Sequence, residues 1–297
     1  MAHKNPSYLW LNGALTPWDD ATIHVSEMGW STVGAVFEGI RGYWNAGHGE
    51  LYIFRLREHL ERLQRSLREL GIAMPMPAGD IVGVQRTLME RNNLRDGLIY
   101  MQITRGAADR NFDYADDVVP GFFAFTQARD LRASPALRDG IRVAILEDQR
   151  WARRDIKTTM LLAQVQAKRE AKRQGCAEAW LVQDGLVTEG ASSTAYIVTG
   201  DRRVVTRENS RMILPGCTRR AVLEVADRLG LSLEERAFSV EEALAAQEAF
   251  LTSASSLVTP VVEIAGNRIG DGNPGPVTRL LQETYSRHAL GSEPDRG

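Results

Sequence analysis

Trp151-Ala152-Arg153-Arg154-Asp155-Ile156-Lys157 leaves a β-rich apolar run at residues 141–146 and enters a helical pattern predicted over about 158–174, stopped by Gly175. A lysine closing such an extended segment has two readings. Neighbouring positive charge and burial both favour the neutral amine, the form that attacks a carbonyl. The ordinary alternative is a solvated lysine opening a helix, because exposed lysines are the rule. The heptad does not choose between them, so the argument moves outward.

Downstream, two strand-turn-strand patterns follow: residues 179–183 and 186–188 across Asp184-Gly185, then 195–198 and 204–206 across Gly200-Asp201. Pro215-Gly216 precedes a helix whose Val222, Val225 and Leu229 form one face before Gly230, and a last strand is predicted at 249–251. Upstream, residues 41–45 and 50–54 flank Ala46-Gly47-His48-Gly49 as a hairpin. Leu60, Leu63, Leu67 and Leu70 give a helical stripe, and 98–104 (LIYMQIT) and 121–126 (GFFAFT) read as buried strands. Residues 105–120 between those strands are polar and too long for a tight turn, hence a candidate functional loop. Periodicity is lost over 127–140, which contains Pro135. The expected organisation is a small N-terminal domain (1–126), a linker (127–140) and a larger C-terminal domain (141–297). Strands interleave with helices and pair through short turns, which predicts an α+β fold rather than a doubly wound parallel sheet.

The whole chain sets the outer limits. Its 297 residues suffice for two cores, and 36 Lys+Arg against 38 Asp+Glu leave a net charge of −2, which argues against a broad nucleic-acid surface. Cys176 and Cys217 form no disulfide framework or metal spacing, and no apolar run is long enough to span a membrane or serve as a leader. A cytoplasmic protein is expected. The five histidines (3, 24, 48, 59, 288) include no paired spacing, so no metal site is expected.

Four further features carry chemistry. Glu189 ends a strand pattern and is followed by Gly190-Ala191-Ser192-Ser193-Thr194, where a carboxylate can face a cationic ring nitrogen and small residues admit a close ligand; turn capping is the plain alternative. Gly216-Cys217-Thr218 opens a helix, whose free N–H groups suit a phosphate as readily as an ordinary cap. Arg62 stands on the first-domain helix, where a guanidinium reaches a phosphate or simply stays solvated. The hydroxyl-rich run 252–256 is a second anion cradle.

Amine, ring-nitrogen partner and phosphate donors together resemble the equipment of the fold-type-IV (class IV) aminotransferases, the pyridoxal 5'-phosphate (PLP) group that includes D-amino-acid and branched-chain aminotransferases and aminodeoxychorismate lyase. The resemblance spans about residues 9–285. Four blocks occur in the family's order: Val36-Phe37-Glu38-Gly39-Ile40-Arg41, Glu58-His59-Leu60-Glu61-Arg62-Leu63, Arg154-Asp155-Ile156-Lys157, and Thr188-Glu189-Gly190 followed by Gly216-Cys217-Thr218-Arg219. It implies the two-domain fold-type-IV architecture with PLP held by the larger domain. Lys157 would be the catalytic Schiff-base lysine, and Glu189 would pair with the pyridinium. Arg62 and the amides of Cys217 and Thr218 would bind the phosphate, with Ser192 or Ser193 nearby. Ala254 stands where relatives often carry threonine, so a phosphate contact there falls to its backbone N–H or to Ser253 or Ser255. Implied partners are small-molecule amino donors, 2-oxo acids and a second copy of the chain, with loop 105–120 completing the other copy's pocket.

The substrate signals are mixed. VFEGIR resembles branched-chain aminotransferases, but their tyrosine five positions after the lysine is Leu162 here, and their inner-strand arginine is Gln102. WARRDIK, QGC and residues 250–272 resemble D-amino-acid aminotransferases. That type's Arg-Asn-His is here Arg110-Asn111-Phe112, and its tyrosine is Phe37. Phe37, Gly39, Arg41, Arg110 and Ser255 are the expected substrate-side residues, in a pocket more apolar than usual. The expected activity is transamination of D-amino acids, extending to (R)-primary amines. The alternatives are a branched-chain L-amino-acid aminotransferase, a lyase resembling aminodeoxychorismate lyase, and a non-catalytic protein on the same fold.

Overall fold

The computed structural model describes residues 6–32, 34–45, 50–113, 117–129 and 134–289. The loop 46–49 of the expected hairpin, and parts of the expected loop 105–120 and linker 127–140, lie outside the described residues. Two compact units form: Met1–Asp130 with Ile156–Met160, and Leu131–Asp155 with Leu161–Gly297.

The first unit contains β1 (Tyr8–Leu11), β2 (Ala14–Pro17), α1 (Met28–Ser31), β3 (Ala35–Asn45), β4 (Glu50–Ile53), α2 (Leu56–Glu69), α3 (Ala78–Arg91), β5 (Asp96–Thr104) and β6 (Gly121–Ala128). Its antiparallel sheet runs β2-β1-β6-β5-β3-β4. Alternation divides the two faces. Val36, Ile40, Ile99, Met101, Ile103, Phe122 and Ala124 are fully buried, and α2 and α3 contribute buried Leu63, Leu67, Ile81 and Leu88. Phe37, Gly39, Tyr100, Gln102, Phe123 and Phe125, the intervening residues, are only half-buried.

The second unit contains α4 (Pro135–Asp139), β7 (Ile141–Glu147), α5 (Leu162–Arg173), β8 (Glu178–Gln183), β9 (Leu186–Gly190), β10 (Thr194–Val198), β11 (Val204–Thr206), α6 (Cys217–Arg228), β12 (Leu233–Glu235), α7 (Val240–Leu244), β13 (Glu248–Ser253), β14 (Leu257–Ile264), β15 (Asn267–Arg268) and α8 (Pro276–Ala289). Its sheet runs β12-β11-β10-β13-β14-β7-β8-β9, with β15 on β14 and both parallel and antiparallel pairs. Trp180, Val187, Ile197, Val205, Phe238 and Leu251 form the centre of its core. The result is the expected α+β fold.

Two boundaries differ from the sequence reading. Residues 127–140, read as linker, carry the end of β6 and helix α4, because Pro135 suits a helix's first turn as well as a break. The helix predicted from 158 starts at Leu162. Residues 156–160 instead lie along β3: Phe37 N–H donates to Lys157 C=O at 3.0 Å and Thr159 N–H to Ala35 C=O at 3.2 Å. The chain therefore returns to the first unit for five residues, and Lys157, assigned from sequence to the C-terminal domain, belongs to the N-terminal unit.

Candidate active site

In the first unit, β3, α2 and residues 156–160 meet around Lys157. Its N–H donates to Ser66 Oγ on α2 at 3.4 Å, and its Nζ stands 4.0 Å from the centroid of the Phe37 ring, a cation–π contact. On the helix side of β3, Arg62 grips the fully buried Glu38 in a fork, Nε on Oε1 and Nη2 on Oε2, both at 2.8 Å. His59 Nδ1 lies 2.8 Å from the same Oε2. Burial alone would push Glu38 up, but Arg62 and His59 overcome it and hold the carboxyl well below the usual range. The guanidinium plane of Arg62 is thereby fixed.

In the second unit, Glu189 is buried at the end of β9. Its Oε1 accepts from Arg150 Nη1 and, at 3.1 Å, from Leu214 N–H; Oε2 accepts no hydrogen bond among the described residues. Burial raises the Glu189 carboxyl, with Arg150 opposing. Arg150 also forks onto Asp148, at 2.9 and 2.7 Å, and Asp148 in turn accepts from Thr188 Oγ1 at 2.6 Å. Leu214 is two residues from Gly216, the cap residue of α6, which as a glycine supplies no side-chain cap. A Cβ on Gly216 would stand 3.2 Å from Thr194 Oγ1, and Thr194 pairs with Thr252 across β10 and β13. Beyond Thr252, the Ser253 hydroxyl bonds those of Ser255 and Ser256 at 3.2 and 2.6 Å. A buried carboxylate with one open oxygen, a helix N-terminus capped by glycine and a hydroxyl cluster therefore gather in this unit. That donor set fits a protonated pyridine nitrogen and a phosphate.

Several expected residues are placed otherwise. Ser192 and Ser193 turn their hydroxyls to Glu178 Oε2, at 2.8 and 3.2 Å, which Lys168 also approaches at 3.2 Å. Arg153 is paired with Asp155 at 3.0 Å, and Arg154 with Asp148 at 3.4 Å and Gln183 at 2.8 Å, so carboxylates answer the charges read as acting on Lys157. Arg110 is exposed, its guanidinium 5.5 Å from the ring of the equally exposed Phe112. Arg41 is buried, donating to Arg129 C=O at 2.9 Å, with its Nε and Nη1 unpaired among the described residues. Gly39 sits opposite Tyr100, and Ala254 lies in the turn after β13. Sequence reasoning missed Arg150, Asp148, Glu38 and His59 as parts of these clusters. Only the seven-residue offset of Arg150 from Lys157 and the VFEG block offered a signal. Among the described residues no set of His, Cys, Asp and Glu gathers that could hold a metal, and no helix is long and apolar enough to cross a membrane.

Residues 35–264 match the family described as amino-transferase class IV. Similar curated proteins are the D-alanine aminotransferases of Bacillus licheniformis, 35% identical over 94% of this chain and 96% of that one, and of Staphylococcus haemolyticus, 36% identical over 94% and 97%. Among solved structures, the branched-chain amino acid aminotransferase of Escherichia coli superposes with a TM-score of 0.92 at 26% identity, covering 98% and 97% of the two chains. That of Thermobaculum terrenum, in its PLP form, gives 0.86 at 30% identity over 97% and 95%. The chain belongs to the class IV aminotransferases.

Proposed function

We propose that the protein is a PLP-dependent transaminase that moves the amino group of D-amino acids to 2-oxo acids. The observation that carries the chemistry is the buried Glu189, tied through Oε1 to Arg150 and Leu214 while Oε2 remains open. PLP supplies an electron-poor ring that takes up the electron pair left when the substrate Cα loses its proton. Lys157 would hold the cofactor through Nζ, and its amine would carry the proton to and from the substrate Cα. Glu189 keeps the ring nitrogen protonated, and Arg150 keeps Glu189 in place. The phosphate is assigned to the N–H groups of Cys217 and Thr218, to Arg62, and to the backbone of Ala254. Ser192 and Ser193 contribute through backbone alone, since their hydroxyls serve Glu178.

Similarity to the D-alanine aminotransferases over 94% of the chain supports the D-amino-acid reading. Phe37 and the exposed Phe112 supply aryl surface in place of hydrogen-bond donors, which supports acceptance of (R)-primary amines as well. The structural match to branched-chain aminotransferases favours an L-amino-acid reading as the second. A homodimer is supported by an exposed apolar patch: Val25, Trp30, Phe112 and Val119 are 69–87% exposed on segments joined by hydrogen bonds Met28 N–H to Gly106 C=O and Ala108 N–H to Ser26 C=O. Arg110 lies on that surface and is assigned to the substrate carboxylate of the other copy's site. The balance of the sequence features supports a cytoplasmic location.

One experiment tests the reading. The cofactor-loaded protein is mixed separately with D-alanine, L-leucine, L-glutamate and (R)-1-phenylethylamine while its visible absorption is followed. D-alanine is expected to bleach the band; bleaching by the L-amino acids alone overturns the D assignment. Lys157→Ala should show no lysine-bound band at all.

A further inference from the structure

We propose that Gln102 gives the substrate carboxylate a neutral hydrogen-bond donor in addition to the charge assigned to Arg110, and that Tyr100 is the positioning residue that aims it; the proposal rests on the transaminase reading above. Across the first sheet, Phe37, Gln102 and Phe123 are register partners, and Gly39, Tyr100 and Phe125 form the next row of the same half-buried face. Directly opposed residues on adjacent strands bring their Cβ atoms to about 5 Å, so Gln102 stands beside the ring that carries Lys157 Nζ. The rest of this wall is aromatic. Tyr100 stacks on Phe37 at 5.6 Å and on Phe125 at 5.0 Å, and Trp18 meets Phe125 edge-on at 5.5 Å. Gly39, opposite Tyr100, has no side chain to part those rings.

Tyr100 Oη donates to Gln102 Oε1 at 2.8 Å. Burial pushes the phenol up to about 12, so it stays a donor at any working pH. With its carbonyl end accepting from Tyr100, the amide presents Nε2, which makes no hydrogen bond among the described residues. An amide nitrogen only donates, and on an aromatic wall beside the reactive lysine its fitting partner is an acceptor oxygen. Phe37 itself offers no hydroxyl for that purpose. Gln102 thus supplies a neutral donor to the α-carboxylate, and the aromatic rings leave the remaining wall apolar.

The test uses the full-length, cofactor-loaded protein. Wild type is first screened with the donors named above, a step that judges the transaminase reading alone; the amino acid that bleaches it is used thereafter, and bleaching only by the carboxylate-free amine overturns the Gln102 proposal. Gln102→Leu and Gln102→Met should raise KM for that amino acid about tenfold or more, with kcat within about threefold and with the visible band and Tm unchanged. Tyr100→Phe should raise KM by about threefold, and Tyr100→Phe combined with Gln102→Leu should be no worse than Gln102→Leu alone. Gln102→Glu, which keeps an acceptor for Tyr100 but turns the donor into an anion, should raise KM beyond either apolar variant. KM within twofold of wild type in both apolar variants, or a Glu variant no worse than Met, overturns the assignment. If Gln102→Leu lowers Tm, Gln102→Met and Gln102→Glu decide it.

Discussion

Glu38 shows how one residue in a motif acquires its meaning from its contacts. In the block VFEGIR it stands among mostly apolar residues, and the structure buries it fully against Arg62 and His59. Breaking such a pair strands a buried guanidinium, so Glu38→Gln should cost about 3 kcal/mol in urea unfolding at pH 7. The sign of its pH dependence follows from the depressed carboxyl. Its contribution is complete above the ordinary value of 4.5 and is lost as pH falls from there toward the folded-state value. The stability gap between wild type and Glu38→Gln should therefore shrink on acidification below about 4.5. A gap that stays constant down to pH 3 contradicts the ion pair. Arg62 is thus held in one orientation by Glu38, which the sequence, showing only an arginine on a helix, did not reveal.

At the scale of elements, α6 and residues 156–160 were legible to different degrees. Pro215-Gly216 and the Val222, Val225, Leu229 face located α6 within a residue, because capping and amphipathic periodicity are local properties. Residues 158–160 were misread as helix, because their structure comes from backbone pairing with β3, about 120 residues earlier in the chain. Tertiary hydrogen bonds override local pattern there. The N-terminus of α6 yields its own prediction. Thr218→Val removes a hydroxyl from the proposed phosphate site and leaves the N–H groups intact. The concentration of PLP for half-saturation should rise about three- to tenfold, while that of phosphate-free pyridoxal should not change. An equal loss for both ligands places Thr218 outside the phosphate site.

At the scale of the whole molecule, the exposed apolar surface around Trp30 and Val119 is the one proposed for association with a second copy. Trp30→Glu should lower the molar mass measured by light scattering from that of a dimer to that of a monomer and, with Arg110 assigned by the proposal to the other copy's site, reduce activity. A wild-type monomer removes that role for Arg110. The sequence by itself determined the α+β class, most strands, the helices α2, α5 and α6 and the family blocks, and it singled out Lys157 and Glu189, because turn chemistry, periodicity and motif spacing are carried locally. Only the tertiary structure decided that Lys157 belongs to the first unit, that Ser192 and Ser193 answer Glu178, that Arg150 fixes Glu189, and that Tyr100 aims Gln102. These are partnerships across strands and between distant segments. A buried charge or amide takes its role from the group that compensates it, and the linear sequence does not state which group that is.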